Sequence, residues 1–406
     1  MTTGILALII LAALLLQVLL ALLMGAIRRR SQQRGVNAPS SHTPDDATAW
    51  EGYREFIVVQ RQYEDAAHSI CSFRLAPVDG RPLPDFRPGQ FLTFKLDVEG
   101  AGPQIRCYSL SDRPHSDHYR ISVKRVAAPV ELPDLPPGRV SNHFHAHVKV
   151  GSRLMLKAPS GHFHLIADPP QPVVLIAGGI GITPMMSMLN ALLEPGGGRE
   201  VWLYYGVRDG SELIMGEHLR SLARTHTGFH LHLCFSRPRA NDTEGVDFQH
   251  RGHIDLTLLR GTLKLGHYQF YVCGPRAMME SLVPGLQTLG VAAGDIHYES
   301  FGPASLGRAQ QAVRAGQETG DALPTVTFSR SGRRVAWNAG AASILEFAEA
   351  QGIEVSSGCR AGSCGSCQTA IEKGEVEYSQ TPDADVAPGD CLLCISVPKG
   401  DLTLAL

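Results

Sequence analysis

Three cysteines near the C-terminus, Cys359, Cys364 and Cys367, are spaced C-x4-C-x2-C, and two more follow at Cys391 and Cys394. Thiolates at that spacing converge on two irons. The intervening Gly362, Ser363, Gly365 and Ser366 are small enough for the loop to fold over a [2Fe–2S] cluster and offer its sulfurs backbone N–H groups. Zinc usually takes paired C-x2-C knuckles, which this glycine-filled loop is not. The fourth ligand is then Cys391 or Cys394. Leu392–Val397 reads as an apolar strand, in which the two cysteines face opposite sides, so one of them serves. We assign Cys394, with twenty-six residues between it and Cys367, and leave Cys391 as a buried structural thiol.

A second constellation follows the apolar run Val173–Ala177: Gly178-Gly179-Ile180-Gly181-Ile182-Thr183-Pro184, then a helical stretch from Met185 to Leu193. Thr183 suits a helix N-cap and Pro184 the first helical position. Strand, glycine turn and helix start together predict a dinucleotide pyrophosphate site, because glycines admit the backbone closely and the helix end favours an anion. Two weaker signals lie upstream. Arg106-Cys107-Tyr108-Ser109-Leu110 sets a cation, a flat aromatic and a hydroxyl on one stretch; in a strand, Arg106 and Tyr108 share a face. Gly138-Arg139-Val140-Ser141-Asn142 opens a short helix that offers N–H groups and the Ser141 hydroxyl to a phosphate. His143, His145 and His147 alternate without an acidic or cysteine partner nearby, and read as unrelated side chains rather than metal ligands.

The elements that must position these groups fall into three regions. Residues 51–168 carry short runs broken by Gly and Pro, among them Phe56–Val59, Phe91–Leu96, Tyr119–Val126 and Arg153–Lys157, which predict an antiparallel β-barrel. Residues 169–302 alternate strands (Val201–Tyr205, Leu231–Phe235, Phe270–Val272) with helical patterns, which predicts a doubly wound α/β domain. Residues 324–406 open on a hairpin, Thr325–Phe328 and Arg333–Trp337 about Ser331-Gly332, followed by a short helix from Ser343 to Gln351. A linker at 303–323 separates the last two regions. Across 406 residues, 37 Lys and Arg stand against 39 Asp and Glu, a balance that argues against a nucleic-acid binder. Nine cysteines, five of them crowded at the C-terminus, describe a metal or redox site rather than a disulfide scaffold.

Residues 4–27 are apolar apart from Gln17, and Arg28, Arg29 and Arg30 follow at once. Twenty-four residues at a rise of 1.5 Å span about 36 Å, enough for a hydrocarbon core of roughly 30 Å. No charge precedes the run and it is too long for a signal-peptide core, so it predicts a transmembrane helix. The arginines place the N-terminus outside and the following domains in the cytoplasm. Residues 28–50, polar and nearly free of large apolar side chains, read as a linker.

Taken in order, Arg106–Leu110, Gly138–Ser141, Gly178–Pro184, Cys273-Gly274-Pro275 and Tyr298-Glu299-Ser300-Phe301 make residues 52–302 resemble the ferredoxin–NADP reductase-like flavoproteins, and 324–406 resemble a plant-type ferredoxin of β-grasp (α+β) fold. The order flavin, nicotinamide, ferredoxin is similar to that of oxygenase and hydroxylase reductase components, such as phthalate dioxygenase reductase and phenylacetyl-CoA epoxidase reductase. The resemblance implies an NAD(P)H-dependent reductase passing electrons through flavin and [2Fe–2S] to an oxygenase, hydroxylase or desaturase. It implies that Arg106, Tyr108, Ser109 and Leu110 hold the flavin, with Val123, Lys124 and Arg125 along its ribityl or adenine side and Gly138 and Ser141 at its pyrophosphate. Gly179, Gly181 and Thr183 cradle the nicotinamide dinucleotide, Tyr205 and Arg208 touch its ribose region, and Ser109, Cys273 and Glu299 serve hydride transfer, with Phe301 beside the cofactor. Ser236-Arg237 suits a 2′-phosphate and so NADPH, with NADH the alternative; FAD is the expected flavin, with FMN the alternative. A membrane quinone reductase's NADH-input subunit combines the same parts, but there the ferredoxin follows the span directly and the order is reversed.

Overall fold

The computed structural model describes residues 50–99, 102–128, 137–167, 171–194, 198–301, 323–338, 340–360, 362, 364–379, 382 and 384–406. The expected transmembrane run at 4–27, all of the first linker but Trp50 and all of the second but Leu323 lie outside the described residues. Among those described, no helix is long and apolar enough to cross a membrane.

Strands β1 (Arg54–Tyr63), β2 (Ile70–Pro77), β3 (Phe91–Val98), β4 (Gly102–Ser109) and β5 (Tyr119–Lys124), helix α1 (Arg139–His147) and strand β6 (Arg153–Leu156) build the first region. The sheet runs β4-β3-β6-β1-β2-β5, antiparallel throughout. Its edge strands meet through a single described bridge, Leu110 with Ile121, so it is a half-open barrel rather than the closed one expected. Period two is plain in β3, where Phe94, Leu96 and Val98 face the core between exposed Lys95 and Asp97. Strand β2 goes unmarked in the sequence because Ser72 interrupts its apolar pattern. That hydroxyl is buried and satisfied by Ser122 at 2.7 Å, which in turn meets Ser111 at 2.9 Å.

The second region is an all-parallel sheet. Its elements are β7 (Val173–Gly178), α2 (Ile182–Leu192), β8 (Val201–Val207), α3 (Gly216–Thr225), β9 (Phe229–Phe235), β10 (His250–Arg251), α4 (Leu256–Thr262), β11 (Gln269–Gly274), α5 (Arg276–Thr288) and β12 (Ile296–Ser300). They are ordered β10-β9-β8-β7-β11-β12. Strand β7 is buried at every position, as a central strand covered on both faces requires. Met185 and Leu189 of α2 and Leu219 of α3 cover one face; Leu259 of α4 and Leu282 and Leu286 of α5 cover the other. The order of connections reverses beside β7, which puts the glycine turn at the crevice where open α/β sheets bind ligands.

Thr183 is not the N-cap. A 3₁₀ turn, Gly179–Gly181, runs directly into α2, and Gly181 already has helical dihedrals (φ −60°, ψ −7°). Thr183 is therefore the second helical residue, and its Oγ1 donates back to Ile180 O at 3.0 Å.

The third region holds β13 (Thr325–Phe328), β14 (Arg333–Ala336), α6 (Ile344–Ala350), β15 (Gln368–Lys373), β16 (Val376–Tyr378), β17 (Asp390–Leu392), β18 (Ser396–Pro398) and β19 (Leu402–Leu404). Its main sheet runs β14-β13-β19-β15-β17, with β16-β18 as a separate pair. Ser343 caps α6 by accepting from Glu346 N at 3.2 Å, and Glu346 reaches back to Ala342 N at 3.1 Å. Leu392–Val397 is not one strand. After β17 the chain makes a 3₁₀ turn, Leu393–Ile395, pinned where the buried Ser396 hydroxyl donates to Leu392 O at 2.9 Å. Cys391 thus sits on a strand and Cys394 in a turn, and alternation along one strand does not decide between them.

A Cβ on Gly181 would lie 2.2 Å from Cys273 O, so the glycine turn packs directly on β11. Gly181→Ala is expected to destabilise the nucleotide-binding region by about 1–3 kcal/mol through this overlap, read as a lower thermal unfolding midpoint.

Candidate functional site

The cluster loop carries left-handed backbone at Arg360 (φ 55°), Gly362 (φ 78°) and Gly365 (φ 72°), which curls it over the cysteine sulfurs. A Cβ on Gly362 would meet Ile395 Cδ1 at 2.5 Å, so that glycine is what lets the loop close onto the turn bearing Cys394. Cys359 N donates to Cys364 Sγ and Cys364 N donates to Cys359 Sγ, both at 3.3 Å. The sulfurs form two pairs. Cys364 is held well below the usual thiol range by hydrogen bonds from Cys107 and Cys359, and Cys367 is lowered by one from Cys394. Among the described residues no three of these sulfurs converge on a point that a single ion would occupy. That spread suits two irons and not one tetrahedral zinc, so the residues fit a [2Fe–2S] cluster. Cys391 is fully buried in the ferredoxin-like core, where burial pushes its thiol up to about 12.

A cavity of about 430 Å³ adjoins this loop. Strand β4 contributes Arg106, Cys107, Tyr108 and Ser109, and β5 contributes Ser122 and Lys124. The start of α1 adds Gly138, Arg139 and Ser141; the nucleotide region adds Ile180, Thr183, Glu299 and Phe301; the cluster loop adds Gly358, Cys359 and Arg360. Tyr108 is wedged edge-on against Phe94 and Phe144, at ring distances of 5.7 and 5.1 Å, and burial raises its hydroxyl well above the ordinary tyrosine value. The Ser141 hydroxyl is engaged locally: it donates to Gly138 O at 3.0 Å and accepts from Val126 N at 3.2 Å. What the start of α1 presents to the cavity is therefore its first-turn backbone, with Arg139 beside it. Several cations, aromatic side chains and a helix start around one cavity fit a flavin nucleotide.

Cys273 of β11 and Glu299 of β12 are directly registered. Cys273 is fully buried, and burial, then the Glu299 charge, raise its thiol well above the ordinary value. Glu299 keeps some exposure overall, but its Oε2 is buried and has no hydrogen-bond partner among the described residues. Burial pushes its carboxyl up to about 8. Gly179 has φ 54° and nothing within 4 Å of a Cβ position, so its outer side stands open to a ligand backbone-on. An orphaned carboxyl oxygen, an open glycine and the start of α2 fit a nicotinamide nucleotide.

Three expected contacts are buried in the core instead of lining the cavity. Leu110 and Val123 are fully buried in the barrel core, and Val123's carbonyl is taken by His145 Nε2 at 2.9 Å. Tyr205 is fully buried among the residues under α2 and α3, on a strand covered on both faces. For Val123, between the cavity residues Ser122 and Lys124, the alternation of the strand turns the side chain inward. Arg125 is exposed and outside the cavity, its N–H held by Ser69 O at 2.8 Å. Arg208 and Arg237 sit side by side at the ends of β8 and β9, where Arg237 N donates to Arg208 O at 2.7 Å. Arg208 also pairs with Glu212 at 2.8 Å, and Ser236 N donates to Val207 O at 3.0 Å. The sequence reading missed Ser122, Arg139, Ile180 and the cluster-loop residues Gly358 and Arg360 as cavity walls. Arg139 was legible in the Gly138–Asn142 motif; the loop residues were not, since they arrive from another region. Cys394→Ser is expected to abolish the cluster's visible absorption and iron content, whereas Cys391→Ser is expected to retain both, as checked by spectrum and iron assay on the purified proteins.

Comparison with known proteins agrees with this geometry. Residues 56–165 match the oxidoreductase FAD-binding domain, 175–283 the oxidoreductase NAD-binding domain and 326–399 the 2Fe-2S iron-sulfur cluster binding domain. The chain is 44% identical over 262 residues to a flavohemoprotein of Chromobacterium violaceum, covering 63% of each, so it spans under two thirds of that relative's length. The flavohemoproteins lack the 2Fe-2S domain. The flavohem-like FAD/NAD binding domain of nitric oxide dioxygenase from Vibrio cholerae is 34% identical at a TM-score of 0.53, with 62% of this chain and 99% of that one covered. Phthalate dioxygenase reductase is 27% identical at a TM-score of 0.53, and there the match covers 90% of this chain and all of that one (100%). With oxidoreductase FAD-binding, oxidoreductase NAD-binding and 2Fe-2S cluster-binding domains in that order, the chain is an NAD(P)H-dependent oxidoreductase with sites for FAD, NAD(P)H and a [2Fe–2S] cluster.

Proposed function

We propose that this protein is a membrane-anchored reductase that delivers electrons from the cytoplasmic face to an oxygenase, hydroxylase or desaturase. The observation that carries the reading is the single cavity whose walls combine the flavin strand, the nucleotide region's Thr183 and Glu299, and the cluster ligand Cys359. Donor, relay and exit meet there without a gap. When bound, the flavin supplies the conversion of a two-electron hydride into single electrons, and the cluster supplies the one-electron exit.

The chain's own residues hold and orient. Arg106, Lys124 and Arg139 offset the flavin's phosphate charge, Tyr108 backs its ring system, and Ser109 offers a hydroxyl at the ring. Gly179, Gly181 and the start of α2 admit the nicotinamide dinucleotide's pyrophosphate, while Thr183, its hydroxyl turned back to Ile180 O, forms cavity wall. Cys273 and Glu299 confine the nicotinamide end; Arg208, Ser236 and Arg237 lie where the adenosine end is recognised. Cys359 and Cys364 hold one iron, Cys367 and Cys394 the other.

The run at 4–27 with Arg28–Arg30 behind it supports an anchor with the N-terminus outside. An anchor of that kind raises the effective concentration of the cluster at a bilayer-bound acceptor. The same-order phthalate dioxygenase reductase, matched over its whole length, supports an oxygenase-type acceptor.

An anaerobic visible titration tests the electron path: flavin and cluster absorption are expected to bleach together on adding NADPH or NADH, whichever is the donor. Flavin bleaching beside a cluster that stays oxidised would sink the reading. Removing residues 1–50 is expected to release the protein from the membrane fraction and slow acceptor turnover in cells; unchanged partition and turnover would remove the anchor.

Glu299 gives a pH signature. Its carboxyl is raised to about 8, so it is neutral at pH 7 and ionises above. Hydride leaves the nicotinamide, which gains positive charge, so a carboxylate beside it favours the transfer. The anaerobic flavin-reduction rate is therefore expected to rise about tenfold as pH rises through about 8, as a nearby opposite charge in a partly buried site implies. In Glu299→Gln the stopped-flow profile is expected to be flat.

A further inference from the structure

Cys107 has no part in the roles above. It stands on β4 between Arg106 and Tyr108, and in a strand its side chain leaves the sheet on the face opposite theirs. Across the ladder it is registered against Thr93 of β3, a buried residue whose Oγ1 is 3.4 Å from Cys107 Sγ. On its other side its thiol lies beside Cys359 and Cys364, more than two hundred residues away in sequence, and the closeness of their sulfurs raises it well above the ordinary thiol value. Gly358 gives the scale of the approach. A Cβ there would lie 3.0 Å from Cys364 Sγ, 3.3 Å from Ile105 Cγ2 and 3.4 Å from Cys107 Sγ. Lys157, also from the flavin-binding region, donates from Nζ to Cys364 O at 3.2 Å and fixes the same loop from a second point.

We propose that Cys107 is a positioning residue that donates a hydrogen bond from the flavin strand to the thiolates of the nearer iron, Cys364 and Cys359, and so sets how readily the cluster takes an electron. The inference rests on the [2Fe–2S] reading of the four ligand cysteines. Cys107 is not a fifth ligand: Cys359, Cys364, Cys367 and Cys394 already supply two thiolates to each iron. Thr93 completes the relay, its hydroxyl donating to the Cys107 sulfur so that the S–H points to the cluster.

Reduction adds negative charge to the cluster and its sulfurs. A donor aimed at those sulfurs therefore binds the reduced form more strongly and favours electron uptake. Because the donor belongs to the flavin-binding region and the acceptors to the ferredoxin-like one, the bond exists only while the two are docked. By reciprocity, an electron on the cluster strengthens the docking that the bond requires.

The test uses the full chain, with dithionite and redox mediators in place of the nucleotide, and follows the reduced cluster by EPR. Cys107→Ala is expected to lower the equilibrium constant for cluster reduction roughly 3- to 10-fold, the weight of one hydrogen bond. Cys107→Ser, which keeps a donor, is expected to restore it to within about twofold. Equal shifts in the two variants, or no shift in either, would overturn the proposal. Thr93→Val leaves the thiol in place and is expected to shift the constant the same way by a smaller factor. If Cys107→Ala does not hold its iron, the Thr93→Val result decides: a shift supports the relay and an unchanged constant refutes it. A wild-type protein with no EPR signal after dithionite would fail differently, by removing the cluster reading itself.

Discussion

A side chain at position 358 would crowd the place where the cluster loop rests against strand β4. The space a Cβ would take is already bounded by Cys364 Sγ, Ile105 Cγ2 and Cys107 Sγ, all within 3.4 Å of it. That close approach is the constraint on which the rest depends, because electron transfer through protein weakens steeply with distance. It requires the loop to curl through left-handed backbone at residues 360, 362 and 365, and it requires the turn at Leu393–Ile395 to meet the loop from below. It also explains the use of β4, which is an edge strand of the half-open barrel. An edge left bare would offer unpaired backbone groups to other chains; here the cluster loop reaches it.

Along β4 the two jobs are interleaved. Arg106 and Tyr108 share one face, and Ile105, Cys107 and Ser109 share the other. Arg106, Cys107, Tyr108 and Ser109 all reach the cavity that the cluster loop also lines, so consecutive residues of one strand serve flavin and cluster together. The nucleotide region enters the same cavity through Ile180, Thr183, Glu299 and Phe301. These four residues lie at the start of α2 or at the end of β12, whose positions the parallel sheet fixes.

Local chemistry was legible in the sequence and burial direction was not. The cysteine spacing, the Gly178–Pro184 turn, the Ser343 cap and the Ser331-Gly332 hairpin each depend on residues within a few positions of one another, and the structure shows an element at each. Leu110 and Val123 each neighbour a cavity residue along the chain, and a one-residue step turns the side chain into the core. Tyr205 lies on a strand covered on both faces, where its neighbour Tyr204 is buried as well. Thr183 failed as a cap because Gly181 and Ile182 already have helical dihedrals ahead of it. The contact of Cys107 with Cys359 and Cys364 has no sequence signal at all, since nothing local to Arg106–Leu110 announces which surface will dock there.

Glu299 shows how a functional site sets itself apart from the fold that carries it. A buried carboxyl oxygen without a partner destabilises the folded chain, and native structures rarely tolerate one away from a site that uses it. The neighbouring strand supplies no relief: Cys273, in register with Glu299, is itself buried, and its thiol is pushed up rather than ionised. A polar network confined to the protein would have closed this gap, as Ser72, Ser122 and Ser111 close theirs a short way off in the barrel. Trp202 Nε1 and Tyr205 Oη, away from the cavity, are likewise unpartnered among the described residues, so what singles out the Glu299 oxygen is its place on the cavity wall. A ligand that brings its own hydrogen-bond donor removes that cost on binding, so part of the affinity for the nicotinamide end comes from relief of strain already present in the protein.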